Sequence, residues 1–405
     1  LSRDRPMLRL VQGDVGSGKT VIAAFAAIRA AEHGAQTALM APTEILAEQH
    51  YLNFTSWLEP LGIPVVLLAG SQSSAERKRA IAAIETGDAL VAVGTHALFQ
   101  NSVAFNRLAL TVVDEQHRFG VHQRMALKDK GHLPHQLVMT ATPIPRTLTM
   151  ALYADMDVST LDELPPGRQP ITTTVTPDER RDEVLAHLAG ELTTGRQAYW
   201  VCPLIDASDA LEASSVEETL PLLTAALPGV RVGVLHGRMK SDEKARVMAA
   251  FKAGQIQVLL ATTVVEVGVD VPNATLMVIE NPERMGLAQL HQLRGRVGRG
   301  AHASYCVLLY ASPLGEISRR RLGVIRDSQD GFRIAEEDLN IRGPGDLLGT
   351  RQTGEQQFRI ADLKTHAHLM PEVVRRGDAL LKSDPETAAR LLTIWAPADS
   401  GHAGV

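Results

Sequence analysis

Gly13-Asp14-Val15-Gly16-Ser17-Gly18-Lys19-Thr20 sets its glycines, lysine and hydroxyl in the order G-x-x-x-x-G-K-[ST]. That order makes a loop whose backbone N–H groups surround phosphate oxygens. Gly13, Gly16 and Gly18 let the chain bend inward, and the helix that follows adds its positive end. Lys19 would bring a charge to the terminal phosphates of a nucleoside triphosphate, and Thr20 would offer its hydroxyl to Mg²⁺. The setting matches, because Leu8 to Val11 reads as a strand and Val21 to Ile28 as a buried helix. The bland alternative, a chance match, has a frequency on the order of one in a hundred for a chain of ordinary composition.

A triphosphate site that hydrolyses its ligand needs a metal-holding carboxylate and a base. Leu110-Thr111-Val112-Val113-Asp114-Glu115-Gln116-His117 offers both at the end of an apolar strand, where parallel sheets place their ligands. Asp114 would hold Mg²⁺ directly or through water, and Glu115 would orient and deprotonate the attacking water. Thr140-Ala141-Thr142-Pro143 ends another strand with two hydroxyls that could reach His117. Much later, Gln292 to Arg299 presents Arg296 and Arg299 three residues apart in a glycine-broken segment. Planar guanidinium groups there could stabilise charge developing on a transferred phosphoryl group.

These residues must be carried by sheets. Short strand-like runs alternate with helical ones up to about residue 310, the signature of parallel sheets with crossover helices. Six strands are expected at 7–11, 37–41, 65–69, 89–94, 110–114 and 136–140, and six more at 171–176, 198–204, 231–235, 258–261, 275–279 and 304–309. Asp162 to Pro170, with its three prolines and a glycine, reads as a linker between two α/β domains. Asp206 to Ser215 reads as an acidic, mobile insertion. Pro313 to Gln329 reads as helix, and Arg342 to Asp346 as a loop or sharp turn.

The chain has 405 residues, 45% of them hydrophobic and 21% charged, which suits a soluble protein of two domains and an appendage. No apolar run has the length of a membrane span, and no secretory signal layout opens the chain, so a cytoplasmic setting is expected. Cys202 and Cys306 sit in apolar runs and read as small buried hydrophobes rather than metal ligands. The net charge of −5 argues against bulk electrostatic coating of nucleic acid. Residues 284–333 nevertheless hold nine arginines against three acids, which leaves a DNA-facing surface and a solvated helix face as equal alternatives. Leu1 lies close to the phosphate loop, so this is expected to be a fragment with further sequence upstream.

Taken in order, Gly13 to Thr20, Ala41-Pro42-Thr43, Gly94-Thr95-His96, Asp114 to His117, Thr140-Ala141-Thr142, Ala261-Thr262-Thr263 with Glu266, Gly268 and Asp270, and Gln292 to Arg299 resemble the motifs of superfamily 2 helicases. Within them, Asp114 to Gly120, Thr142 to Leu148 and Glu280-Asn281-Pro282-Glu283-Arg284 resemble the RecG family, ATP-dependent helicases of branched DNA. The coupling-factor family, Mfd, shares the Thr142 to Leu148 segment and the C-terminal extension. Its acidic motif usually reads DEEH where this chain has DEQH, and Leu164 to Arg168 and Gly349 to Gly354 are similar to RecG.

The resemblance implies tandem RecA-like P-loop domains, 1–160 and 161–311, followed by a helical hairpin and translocation-motif extension over 312–405. It implies ATP and Mg²⁺ in the cleft between the domains. Lys19, Thr20, Asp114 and Glu115 would form one wall, and Gly268, Asp270, Arg296 and Arg299 the other. Thr43, Thr95, His96 and Thr263 match positions facing the nucleic-acid backbone. Arg342, Arg351 and Gln352 would lie in or near the loop that turns domain closure into DNA movement. The implied partners are forks and Holliday junctions, with single-stranded DNA-binding protein as a further one, acting on a monomer without a membrane. A wedge domain and an adenine-reading segment are expected upstream of Leu1. Two other readings stay open, a coupling-factor-like duplex translocase and a DNA-binding fragment without coupled activity.

Overall fold

The computed structural model describes residues 6–70, 72–100, 102–115, 134–145, 156–163, 169–203, 209–262, 271–300, 302–342, 366 and 369–395. The first sheet contains β1 (Leu8–Gly13), β2 (Gln36–Met40), β3 (Val65–Leu68), β4 (Val91–Gly94), β5 (Leu108–Asp114), β6 (His135–Thr140) and β7 (Asp157–Leu161). Their order is β3-β4-β2-β5-β6-β1-β7, and every pairing is parallel. Parallel order with central strands buried on both faces requires apolar runs rather than alternation, which is how β2 and β5 read. Helices α1 (Lys19–Ala31), α2 (Glu44–Leu58) and α3 (Ser74–Thr86) make crossovers. Ala23, Ala27 and Ala30 of α1 bring it close to Leu39, Val91 and Val112.

The second sheet is also parallel. It is built from β8 (Ile171–Pro177), β9 (Gln197–Val201), β10 (Val232–Leu235), β11 (Val258–Ala261), β12 (Ala274–Glu280) and β13 (Ser304–Tyr310), in the order β10-β11-β9-β12-β13-β8. Its helices are α4 (Arg181–Thr193), α5 (Asp209–Ala226), α6 (Ser241–Lys252) and α7 (Leu287–Arg294). On one face Tyr199 and Phe251 meet edge to face with centroids 5.0 Å apart. The expected α/β architecture of two parallel sheets with a helical C-terminal portion is the one observed.

Three local expectations change. Residues 209–215, expected to be part of a mobile insertion, form the first turns of α5; the Ala, Leu and Glu among them are strong helix formers, although the run has no apolar period in sequence. Strand β7 was not expected, because Asp-Val-Ser-Thr-Leu is polar and its first residues are exposed, as suits an edge. Beyond the second sheet, α8 (Glu316–Asp327) and α9 (Gly331–Arg342) form a helical pair, so Arg342 closes a helix. Residues 343–346 of the expected loop lie outside the described residues.

Described residues of Leu1–Pro143 and Asp157–Ile341 form one compact unit. Those of Ile144–Met156 and Arg342–Val405 form another, which holds α10 (Met370–Ser383) and α11 (Pro385–Trp395). Among the described residues no helix is long and apolar enough to cross a membrane.

Candidate nucleotide-binding cleft

The phosphate loop leaves β1 at Gly13, where a Cβ would lie 2.6 Å from Ser17 Oγ and 2.8 Å from the Leu161 backbone oxygen. Only glycine fits there. Gly16 and Gly18 take positive φ, 84° and 95°, and Gly18 caps α1. Lys19 is buried at the start of α1, and its Nζ donates to the carbonyls of Gly13 (2.7 Å) and Asp14 (2.8 Å). Burial pulls the Lys19 pKa down, with Arg299 adding to the effect and Glu115, Asp114 and Asp14 opposing it. Ser17 Oγ is buried with no hydrogen-bond partner among the described residues, and a hydroxyl so placed suits a phosphate oxygen.

Strand β5 delivers Asp114, which is 9% exposed. Its Oδ2 lies 2.7 Å from Nε2 of His50, a buried residue of α2. His50 escaped the sequence reading. The signal was a single imidazole in the stripe Ala47, His50, Phe54 and Leu58, whose spacing is that of one helix face. Glu115 follows with φ 52°, left-handed for a residue that has a Cβ. It is held there from the end of β6: Ala141 N donates to Oε1 at 3.1 Å, and Thr140 Oγ1 approaches Oε2 at 3.5 Å.

The opposite wall comes from the second sheet. Arg294 is 2% exposed and donates to the carbonyls of Ile325 (2.6 Å) and Ser328 (2.8 Å), as well as to Nδ1 of His291 (3.0 Å). A guanidinium can only donate, so Nδ1 of His291 accepts and its Nε2 carries the hydrogen. That Nε2 donates to Asp14 Oδ1 at 3.1 Å, tying α7 to the phosphate loop. Gln292 Nε2 donates to Thr142 Oγ1. A Cβ at Gly295 would stand 3.3 Å from Val15 Cγ2, so the two walls nearly touch. Arg296 and Arg299 then face the same cleft as Val15, Gly16, Lys19, Thr20, Asp114 and Glu115.

The DNA-facing candidates lie apart from this group. Thr43 caps α2 by accepting from Leu46 N at 3.4 Å, directly after β2. Thr95 is buried and His96 exposed, directly after β4. Both sites share the carboxyl edge of the first sheet with the phosphate loop. His117, Thr263, Gly268, Asp270, Arg351 and Gln352 lie outside the described residues.

Among the described residues no group of three or more His, Cys, Asp or Glu could hold a metal alone. One carboxylate and one hydroxyl, Asp114 and Thr20, are hard oxygen donors of the kind Mg²⁺ takes when phosphates and water complete its shell. The donor set therefore fits Mg²⁺ brought with a nucleotide.

Residues 4–151 match the model for DEAD/DEAH box helicases, 180–301 that for the helicase conserved C-terminal domain, and 328–396 that for the C-terminal part of domain 3 of the ATP-dependent DNA helicase RecG. The ATP-dependent DNA helicase RecG of Escherichia coli K12 is 59% identical over 402 residues, covering 98% of this chain and 58% of the relative. That of Bacillus subtilis 168 is 48% identical, covering 93% and 55%. A solved RecG bound to a three-way DNA junction aligns with a TM-score of 0.74 at 45% identity, covering 91% of this chain and 48% of that one. The chain thus spans somewhat over half the length of these curated relatives. With two parallel sheets meeting at one phosphate-loop cleft, a RecG-specific segment behind them and this identity along nearly the whole sequence, the chain belongs to the RecG family.

Proposed function

We propose that this chain is the ATP-hydrolysing motor of a helicase that moves on branched double-stranded DNA, regressing stalled forks and migrating Holliday junctions in recombination and repair. The observation that supports it best is the joint cleft: Lys19, Asp114 and Glu115 from one sheet face Arg296 and Arg299 from the other. Lys19 would exchange its two loop carbonyls for phosphate oxygens, with Gly13 to Gly18 supplying backbone N–H groups around them. Asp114 and Thr20 would hold Mg²⁺, which when bound offsets phosphate charge. Glu115 would accept the proton of the attacking water. Arg296 and Arg299 would meet charge on the transferred group, so that hydrolysis reports on the approach of the two walls.

Gly268 and Asp270 would complete the nucleotide site, and Thr142 and Thr140 would carry its state to His117. Thr43, Thr95, His96 and Thr263 would contact the DNA backbone, positioning without reading sequence. Arg342, Arg351 and Gln352 would convert closure into movement. The corresponding functional division is 1–160, 161–311 and 312–405. A cytoplasmic monomer that also meets single-stranded DNA-binding protein follows from the family resemblance alone.

The test is ATP turnover by this chain with no DNA, linear duplex and a three-way junction. Turnover that rises with DNA, most with the junction, is expected. Junction binding with no stimulation would identify a DNA-binding fragment instead.

A further inference from the structure

His50 sits where its helix should be apolar. Ala47, Phe54 and Leu58 complete the buried stripe of α2, and a leucine at position 50 would leave no ring nitrogen to desolvate. Nδ1 is buried with no hydrogen-bond partner among the described residues, so the ring is not there to complete a stabilising network. Nε2 has one partner, Asp114 Oδ2 at 2.7 Å. A carboxylate can only accept, so Nε2 donates and the tautomer is fixed.

We propose that His50 is a positioning residue for Asp114 that links the hydrolytic site to nucleic acid engagement. This rests on the reading of the cleft as an ATP and Mg²⁺ site. The imidazole occupies Oδ2 and leaves Oδ1 for the metal or its water. The ring belongs to α2, whose first turn is capped by the DNA-facing candidate Thr43. Seven residues of continuous helix therefore separate the cap from the imidazole, a rise of about 10 Å. A displacement of α2 by DNA shifts the donor that holds the carboxylate. No residue between the two sites has to move independently.

The test compares the parent with H50A, H50N and H50Q. The glutamine amide reaches the place of Nε2, whereas the asparagine amide reaches only that of Nδ1. For H50A and H50N, DNA-stimulated kcat should fall and half-saturating Mg²⁺ should rise, each by about tenfold or more. The KM for ATP should stay within about threefold, because His50 touches no phosphate. H50Q should lie within about threefold of the parent throughout. Hydrogen exchange supplies a readout independent of turnover: Mg²⁺ and ADP should protect amides of residues 44–58 in the parent and H50Q, and not in H50N.

Two results with the His50 variants overturn the inference: H50N with the Mg²⁺ dependence and α2 protection of the parent, or H50Q as impaired as H50N at the thermal stability of the parent. If H50A fails to fold, the contrast between H50N and H50Q carries the decision. Lys19→Ala, measured in parallel, separates the two levels. Loss of nucleotide binding in K19A beside a parent-like H50N overturns the role of His50 alone. A K19A that binds and hydrolyses like the parent overturns the ATP-site reading and the inference with it.

Discussion

A left-handed backbone at a glutamate costs about 1–3 kcal/mol and persists only where its surroundings hold it. At Glu115 the end of β6 supplies that hold through the Ala141 N–H and the Thr140 hydroxyl. Glu115→Gln keeps the shape and removes the basicity, so ATP should still bind while single-turnover hydrolysis falls by about a hundredfold or more. Turnover within a few-fold of the parent would exclude Glu115 as the base. Lys19 gives a second residue-level expectation. Burial lowers its pKa below the usual 10.5, so the fold carries a penalty wherever the group is charged in both states, and the penalty fades as pH rises through the lowered value. Phosphate charge reverses that shift. Nucleotide binding should therefore take up protons at alkaline pH, seen calorimetrically as a dependence of binding heat on the ionisation enthalpy of the buffer. Uptake that persists unchanged in Lys19→Met would assign it elsewhere. Both residues were legible in the sequence because spacing alone specifies them. His50 was not, because its role comes from a strand 64 residues away.

At the scale of elements, the run Gln292 to Arg299 divides its labour. Arg296 and Arg299 face the cleft, while Arg294 points the other way and holds the C-terminal end of α8 through Ile325 and Ser328. Arg294→Met would leave those carbonyls and His291 Nδ1 buried without a donor. A destabilisation of about 3 kcal/mol is expected, read as a lower urea midpoint, and Lys should rescue little because it lacks the planar fork. An unchanged midpoint would mean that the α8 end is held by other means. Arg299→Ala should behave differently, lowering the hydrolysis rate about a hundredfold while ATP affinity changes less. A collapse of affinity with a normal residual rate would make Arg299 a ground-state binding residue. Spacing revealed that arginines were present but not which way each pointed, since that is decided by where α8 packs. The same limit hid β7 and the first turns of α5. β7 has no buried position for a sequence pattern to show, and residues 209–215 have no apolar period.

For the whole molecule, the basic stretch from 284 to 333 promises more surface charge than it delivers. Arg294 is buried, Arg320 pairs with Glu337, Arg326 with Asp327, and Arg321 turns to the Glu283 carbonyl. Arg284, Arg319 and Arg333 are the exposed ones without such an assignment. If these meet phosphates, Arg284→Ala, Arg319→Ala and Arg333→Ala should each reduce the slope of log affinity for duplex against log salt by about one. Arg320→Ala should leave it unchanged. Three unaltered slopes would move the DNA track to another face.

The bonds from His291 to Asp14 and from Gln292 to Thr142 join the two walls side chain to side chain. In the motor proposed above, every opening of the cleft must break both bonds and every closing must remake them. ATP can move such a pair only by its differential affinity for the closed and open forms, and the bonds bias the same equilibrium toward the closed form on their own account. A motor built this way would have less of that equilibrium left for ATP to move, and would stay closed for longer. The quantity in which this arrangement would show is processivity, the number of steps taken before the DNA is released.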